Sequence, residues 1–81
     1  MTGKTTFDIT VENMRAYILV LQMSYYGSNV YLVSVAAPQS KFIELIKNTS
    51  YITVNSVSGT NVNVGIGSST NDAYYYLYSL S

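Results

Sequence analysis

The side chains that most often do chemistry in proteins are missing from this sequence. It has no Cys and no His, which excludes Cys/His zinc sites and both Ser–His–Asp and Cys–His catalysis. Asp8 and Glu12 face the same side of the first predicted strand, but four residues of strand span about 13 Å. Paired glycosidase carboxyls stand about 5 to 9.5 Å apart. We therefore predict no catalytic residue and no metal site.

Two glycine-containing segments could bind an anion, and each fits a structural role better. Gly3-Lys4-Thr5 has the form of the end of a phosphate-binding loop, yet no strand precedes it and no helix follows it. Residues 65–69 combine two glycines with two serines, and their backbone N–H groups could cradle an anion. We interpret residues 1–5 as a flexible N-terminal tail and residues 65–69 as the bulged end of a strand.

The most unusual feature is the tyrosine-rich C-terminal segment. Tyr74, Tyr76 and Tyr78 alternate with other residues, which places their rings in a row about 7 Å apart on one strand face. Such a row could stack on nucleobases or sugars, or pack against a subunit. Base stacking normally comes with a cationic groove, whereas tyrosine at a subunit contact needs nothing further. We predict an interface formed by Tyr74, Tyr75, Tyr76, Tyr78 and Leu80.

The overall composition favours association. Lys plus Arg and Asp plus Glu number four each, so the formal net charge is zero and only 10% of residues are charged, against about 25% in a typical domain. Hydrophobic residues make up 48%, which is enough for a core. Zero net charge argues against a nucleic-acid partner. It also weakens the repulsion that keeps copies of a protein apart.

The sequence gives little information on location. No segment reaches the roughly 18 to 20 apolar residues of a membrane helix, and the N-terminus lacks the apolar core of a signal peptide. The absence of Cys leaves the redox compartment open. The location therefore stays unknown, and the composition favours a virion or an extracellular site.

The periodicity of apolar residues predicts one mainly β domain spanning residues 1–81. Alternating apolar and polar residues are typical of strands, and we expect six, at residues 7–11, 15–26, 30–35, 51–57, 61–67 and 73–80. Gly27-Ser28-Asn29 is a turn signal between the second and third strands, and Pro38 ends the third. The second strand is apolar on both sides in its first half, which predicts a central, doubly covered strand.

Residues 40–48 are predicted to form one short helix. Phe42, Ile43, Leu45 and Ile46 repeat at helical spacing, and Ser40 is a suitable N-cap. The expected order is thus β-β-β-α-β-β-β. We expect a small antiparallel barrel or two-layer sandwich with the helix over one open end.

Residues 27–58 resemble the FMN-binding split-barrel family, the pyridoxamine-phosphate-oxidase-like flavoproteins. The residues that carry the resemblance are Val30-Tyr31-Leu32-Val33-Ser34, Ser40-Lys41, Leu45, Lys47-Asn48 and Tyr51-Ile52-Thr53-Val54. In that family, hydroxyl and basic residues around the helix start bind the flavin phosphate. The resemblance therefore implies FMN as a cofactor, with Ser40 and Lys41 as the matching binding residues.

Our leading prediction is a structural β-domain that associates with copies of itself, such as a virion or surface-filament subunit. It follows from the low charge, the neutral polar side chains and the lack of a catalytic constellation. Two alternatives remain open. One is a small FMN- or nucleotide-binding split-barrel-like protein, and the other is a protein- or glycan-binding module that uses the tyrosine row.

Overall fold

The structure is a computed structural model that describes residues 5–67 and 73–80. Seven antiparallel strands form two sheets, with strand orders β1-β6-β5 and β4-β3-β2-β7. The strands are β1 Thr5–Thr10, β2 Arg15–Met23, β3 Gly27–Val35, β4 Lys41–Ile46, β5 Ile52–Ser58, β6 Asn61–Ile66 and β7 Ala73–Ser79. The prediction of a small, mainly antiparallel β fold is confirmed. Residues 1–4 of the predicted tail and residues 68–72 lie outside the described part.

The core lies between the two sheets because each strand turns alternate apolar residues inward. In β2 every second side chain is buried, from Tyr17 to Met23, and β3 repeats the pattern. The inward residues of the three-stranded sheet are β-branched, and such residues suit a pleated, half-buried surface. Its buried apolar side chains are Ile9, Ile52, Val54, Val62 and Val64.

The predicted helix over residues 40–48 is wrong, because this segment forms the edge strand β4. Phe42 packs against the core and Ile43 is exposed on the opposite side of the sheet. The pairing with β3 then shifts by one residue, so that Leu45 is the extra residue of a β-bulge. Around this bulge the apolar residues Phe42, Ile43, Leu45 and Ile46 fall at positions i, i+1, i+3 and i+4. The apolar face of a helix has the same spacing.

The predicted turn at residues 27–29 is also misplaced. The β2–β3 hairpin turns at residues 24–26, and Gly27 to Asn29 already belong to β3. Asn29 points into the core and is fully buried. A residue typical of turns is thus a core residue here, and its hydrogen bonds explain why.

The Asn29 carboxamide holds the connection from β4 to β5 against β3. Its Nδ2 donates to the carbonyls of Thr49 (2.8 Å) and Ile52 (2.7 Å), and its Oδ1 accepts from the N–H groups of Asn48 (2.7 Å) and Thr49 (3.1 Å). All four partners are backbone groups of a chain that crosses from one sheet to the other. One side chain therefore supplies the hydrogen bonds that a neighbouring strand would otherwise provide.

We expect Asn29→Ala to destabilise the domain by about 3 to 5 kcal/mol, because it leaves several backbone groups without partners in a buried place. Asn63→Ala is the matched control, since it removes a side chain whose hydrogen bonds lie on an exposed face. We expect that control to cost about 1 kcal/mol or less. Urea unfolding of both variants measures the difference, and equal losses would contradict the assignment.

Candidate functional site

The four-stranded sheet carries a row of apolar side chains on its outer side, away from the core. Cross-strand pairing brings Ile18 and Val20 of β2 beside Leu32 and Val30 of β3. The exposed residues Ile43 and Ile46 of β4 continue the row on one side, and tyrosines of β7 continue it on the other. We call this surface the apolar face, formed by Ile18, Val20, Val30, Leu32, Ile43, Ile46, Tyr74, Tyr76 and Tyr78.

The apolar face corrects the interpretation of β2 as a doubly covered strand. Ile18 and Val20 are half-buried only by their neighbours in the sheet, and none of the described residues forms a layer above them. The sequence signal was real, because both sides of the strand are apolar. It did not show that one of these sides lies on the outside of the domain.

The residues predicted to form an interface divide between the two sides of β7. Tyr74, Tyr76 and Tyr78 lie opposite Gln22, Val20 and Ile18, which places them on the apolar face. Leu80 follows them, and its N–H donates to the Ala16 carbonyl. Tyr75 lies on the inner side, where its ring packs 5.9 Å from that of Phe7. All five predicted residues are between 44% and 58% exposed.

The outer side of the three-stranded sheet is polar. Asp8 accepts hydrogen bonds from the side-chain amides of Asn61 (3.1 Å) and Asn63 (2.7 Å), and Asn63 in turn accepts one from Asn55 (2.9 Å). The Asn55 amide lies directly over Gly65, where a Cβ would meet its nitrogen at 2.7 Å. The two outer sides of the sandwich are therefore chemically opposite, one apolar and one built from amides and hydroxyls.

The carboxylates weighed as a catalytic pair have separate structural roles. Hydrogen bonds from Asn63 and then Asn61 lower the pKa of Asp8, against a small opposing effect of burial. Glu12 lies beyond the end of β1 and forms an ion pair with Arg15. Among the residues described, no group of three acidic, His or Cys side chains could hold a metal ion, and no helix is long and apolar enough to cross a membrane.

Ser40 and Lys41, which the split-barrel resemblance implies as phosphate ligands, lie at the start of β4 rather than of a helix. The Ser40 hydroxyl donates to the Gly59 carbonyl (2.6 Å) and accepts from the N–H of Ala36 (3.2 Å). It thereby joins the β3–β4 connection to the β5–β6 turn. Lys41 is exposed on the outer side of the sheet, opposite Ser34. FMN binding stays a prediction.

The most perturbed titratable group described is a structural one. Tyr31 lies in the core, and its hydroxyl donates to Glu44 Oε2 (3.0 Å) and accepts from the N–H of Val54 (3.3 Å). Burial raises the pKa of Tyr31 to about 12; the Val54 hydrogen bond opposes this rise, and the Glu44 carboxylate adds to it. The hydroxyl links β3 to β4 within one sheet and to β5 in the other.

The comparisons with known proteins add no relative. No protein-family model matches the chain, and neither a curated protein nor a solved structure matches it.

We expect the stability of the fold to fall as the pH rises from about 10 to about 12. An unfolded tyrosine ionises near pH 10, whereas folded Tyr31 keeps its proton until about pH 12. Unfolding in this window releases a proton, so stability is lost as the pH rises through it. Urea unfolding on both sides of the window, for wild type and Tyr31→Phe, checks this. The Phe variant should lose less stability over the same interval, and an equal loss would contradict the prediction.

Proposed function

We propose that this chain is a structural β-domain that associates with copies of itself through the apolar face. The observation that supports the proposal is the arrangement of nine apolar or aromatic side chains in adjacent rows on the outer side of β4-β3-β2-β7. A one-domain protein normally exposes such residues singly, whereas contiguous patches mark interaction surfaces. A virion or surface filament is the kind of assembly that such a subunit fits.

The size of the apolar face suits a modest protein–protein contact. Four strands about 4.8 Å apart, each about six residues long at about 3.4 Å per residue, outline a surface of roughly 20 by 20 Å. Two such faces in contact cover roughly 800 Å² in total when each is treated as a flat square. The accessible area that they bury is larger, because side chains make the surface uneven. Specific interfaces begin at about 1,200 Å² of total buried area. A face-to-face dimer therefore lies at or below the lower limit of specific interfaces, in the size range of weak or transient contacts.

The chemistry of the face favours a second copy as its partner. A two-fold contact presents the same surface on both sides, so the surface must be complementary to itself. The nine side chains of the apolar face meet this condition, because none of them is charged. Residues 16–40, which include β3 and all of β2 after Arg15, contain no charged residue, and Lys41 lies on this outer side only at the β4 edge. Two twisted sheets can then pack at about 30° and about 10 Å apart, as the two sheets of a sandwich do.

The β7 strand gives this surface an open edge. It pairs with β2 on one side, and no described strand pairs with it on the other. Natural edge strands are commonly protected by charges, proline or a bulge. The opposite edge, β4, has Lys41, Glu44 and a bulge, while β7 reads Ala73-Tyr74-Tyr75-Tyr76-Leu77-Tyr78-Ser79 and has none of these devices. This contrast supports the C-terminal strand as part of the contact.

We expect Val20→Lys to weaken self-association at least tenfold, or about 1.4 kcal/mol. Val20 lies at the centre of the apolar face between Val30 and Tyr76, and a lysine ammonium there would be desolvated without a partner. Its alkyl stem can still cover the neighbouring residues, so the fold should survive. Sedimentation equilibrium over a wide concentration range measures the change.

Thr10→Lys is the matched control, because it adds the same charge at an exposed position of β1 on the opposite side of the sandwich. This variant should associate like the wild type. Circular dichroism should show the same fold for all three proteins. A wild type that sediments as a monomer at every concentration, or equal weakening by both lysines, would overturn the proposal.

A further inference from the structure

The β2–β3 hairpin turns through a conformation that its central residue disfavours. The N–H of Tyr26 donates to the Met23 carbonyl (3.1 Å), which closes a four-residue turn, and Tyr25 occupies the third position with φ of 79°. That position of a type II turn requires a positive φ and is normally glycine. A bulky residue there is a conformational outlier with a backbone strain that glycine would not have.

Burial within the described domain does not offset this strain. The Tyr25 side chain is 92% exposed, so it gains almost nothing from burial. Backbone strain at an exposed residue points to a role outside the fold, since glycine would make the same turn without strain. The exposed feature that Tyr25 adds is an aromatic ring with an accessible face.

Two further tyrosines pack in sequence beside this ring and form a continuous aromatic surface with it. Tyr26 meets Tyr25 edge to face with centroids 5.2 Å apart, and it packs on Tyr51 at 4.5 Å. Two hydrogen bonds fix the backbone of Tyr51: its carbonyl accepts from the N–H of Gly67 (2.7 Å), and its N–H donates to Thr49 Oγ1 (3.1 Å). We call Tyr25, Tyr26 and Tyr51 the aromatic tip. It is preorganised, which reduces the entropy cost of binding.

The surroundings of the aromatic tip are polar. Asn48 packs against Gly27 at the base of the hairpin, where its amide donates to the Ser28 carbonyl (2.6 Å). Residues 16–40 and 48–67, which include the hairpin and Tyr51, contain no charged side chain, and Lys47 beside Asn48 is a single cation rather than a cationic groove. This disfavours nucleic acid, which calls for a cationic groove. It favours a neutral ligand with both an apolar face and hydroxyl groups.

We propose that the aromatic tip binds a neutral oligosaccharide, with a hexopyranose ring stacked on Tyr25. The axial C–H groups of such a ring are weakly positive and match the negative face of an aromatic ring. The sugar hydroxyls can exchange hydrogen bonds with the tyrosine hydroxyls and with the Asn48 carboxamide beside the hairpin. The tip lies at the end of β2 and β3, outside the apolar face, so this site stands independently of self-association.

Calorimetric titration with neutral hexasaccharides of glucose, mannose, galactose and N-acetylglucosamine tests the proposal. We expect at least one to bind wild-type protein, and Tyr25→Gly to weaken that binding at least tenfold. The same variant should keep or raise the melting temperature, because glycine relieves the positive φ. A merely structural role for Tyr25 would give the opposite result, with a lower melting temperature.

Met14→Gly is the matched control. Met14 also has a positive φ (61°) and is 76% exposed, but it lies in the β1–β2 turn at the other end of β2. This variant relieves comparable strain and should bind sugar like the wild type. The proposal is overturned if no hexasaccharide binds, or if Tyr25→Gly binds as tightly as wild type. It is also overturned if neutral phosphatidylcholine vesicles alone capture the protein through Tyr25, since the tip would then bind a lipid surface.

Discussion

The fold depends on one buried carboxamide, that of Asn29. A two-layer sandwich must pass its chain from one sheet to the other, and the crossing residues leave the ladder that satisfies backbone groups. Between β4 and β5 this crossing runs past β3, where the Asn29 side chain hydrogen-bonds four backbone groups of the crossing chain. An amide suits this place because it combines two donors with an acceptor oxygen that has two lone pairs. An aspartate could accept but not donate, and a leucine could do neither.

The alternation of apolar residues along the strands decides which sides of the sheets face outward, and the Asn29 hydrogen bonds hold the chain crossing in that arrangement. With the crossing held against β3, the inner sides of β2 and β3 close over the three-stranded sheet, and their other sides are left outside. The outward residues then decide what each surface does. Side chains on β1-β6-β5 hydrogen-bond to one another, whereas the outward side chains of β4-β3-β2-β7 are aliphatic and aromatic. One domain therefore has one polar outer side and one apolar outer side.

Much of this architecture could be predicted from the sequence because strand alternation has a local cause. Phe7, Ile9 and Val11 alternate with polar residues, and so do Val62 and Val64, since each strand has one buried side. The β4 strand was mistaken for a helix because its bulge puts apolar residues at helical spacing. Asn29 was assigned to a turn because its partners lie about twenty residues further along the chain. No local pattern reports a contact of that kind.

The candidate surfaces, too, could be predicted only where they depend on neighbouring residues in the sequence and not on the order of the strands. The tyrosine row on β7 was visible in the sequence, but the aliphatic rows beside it on β2 and β3 became a surface only through the strand order. The aromatic tip was hidden for a different reason. Tyr25 falls within the strand predicted over residues 15–26, and its backbone φ shows that it belongs to the hairpin turn instead. Tyr51 joins it from another strand connection, far away in the sequence.

If the domain associates as proposed, the geometry of the apolar face limits the assemblies that it can form. Two β7 edges can pair antiparallel about a two-fold axis, which would join two four-stranded sheets into one and make the apolar faces continuous. Two apolar faces can stack about a second two-fold axis. Either contact alone gives only a dimer, because a two-fold contact buries the same surface of both copies and leaves none of it for a third copy. Under the proposed function, an extended filament or shell would therefore need both contacts in every copy, and the β7 edge beside the apolar face would offer both.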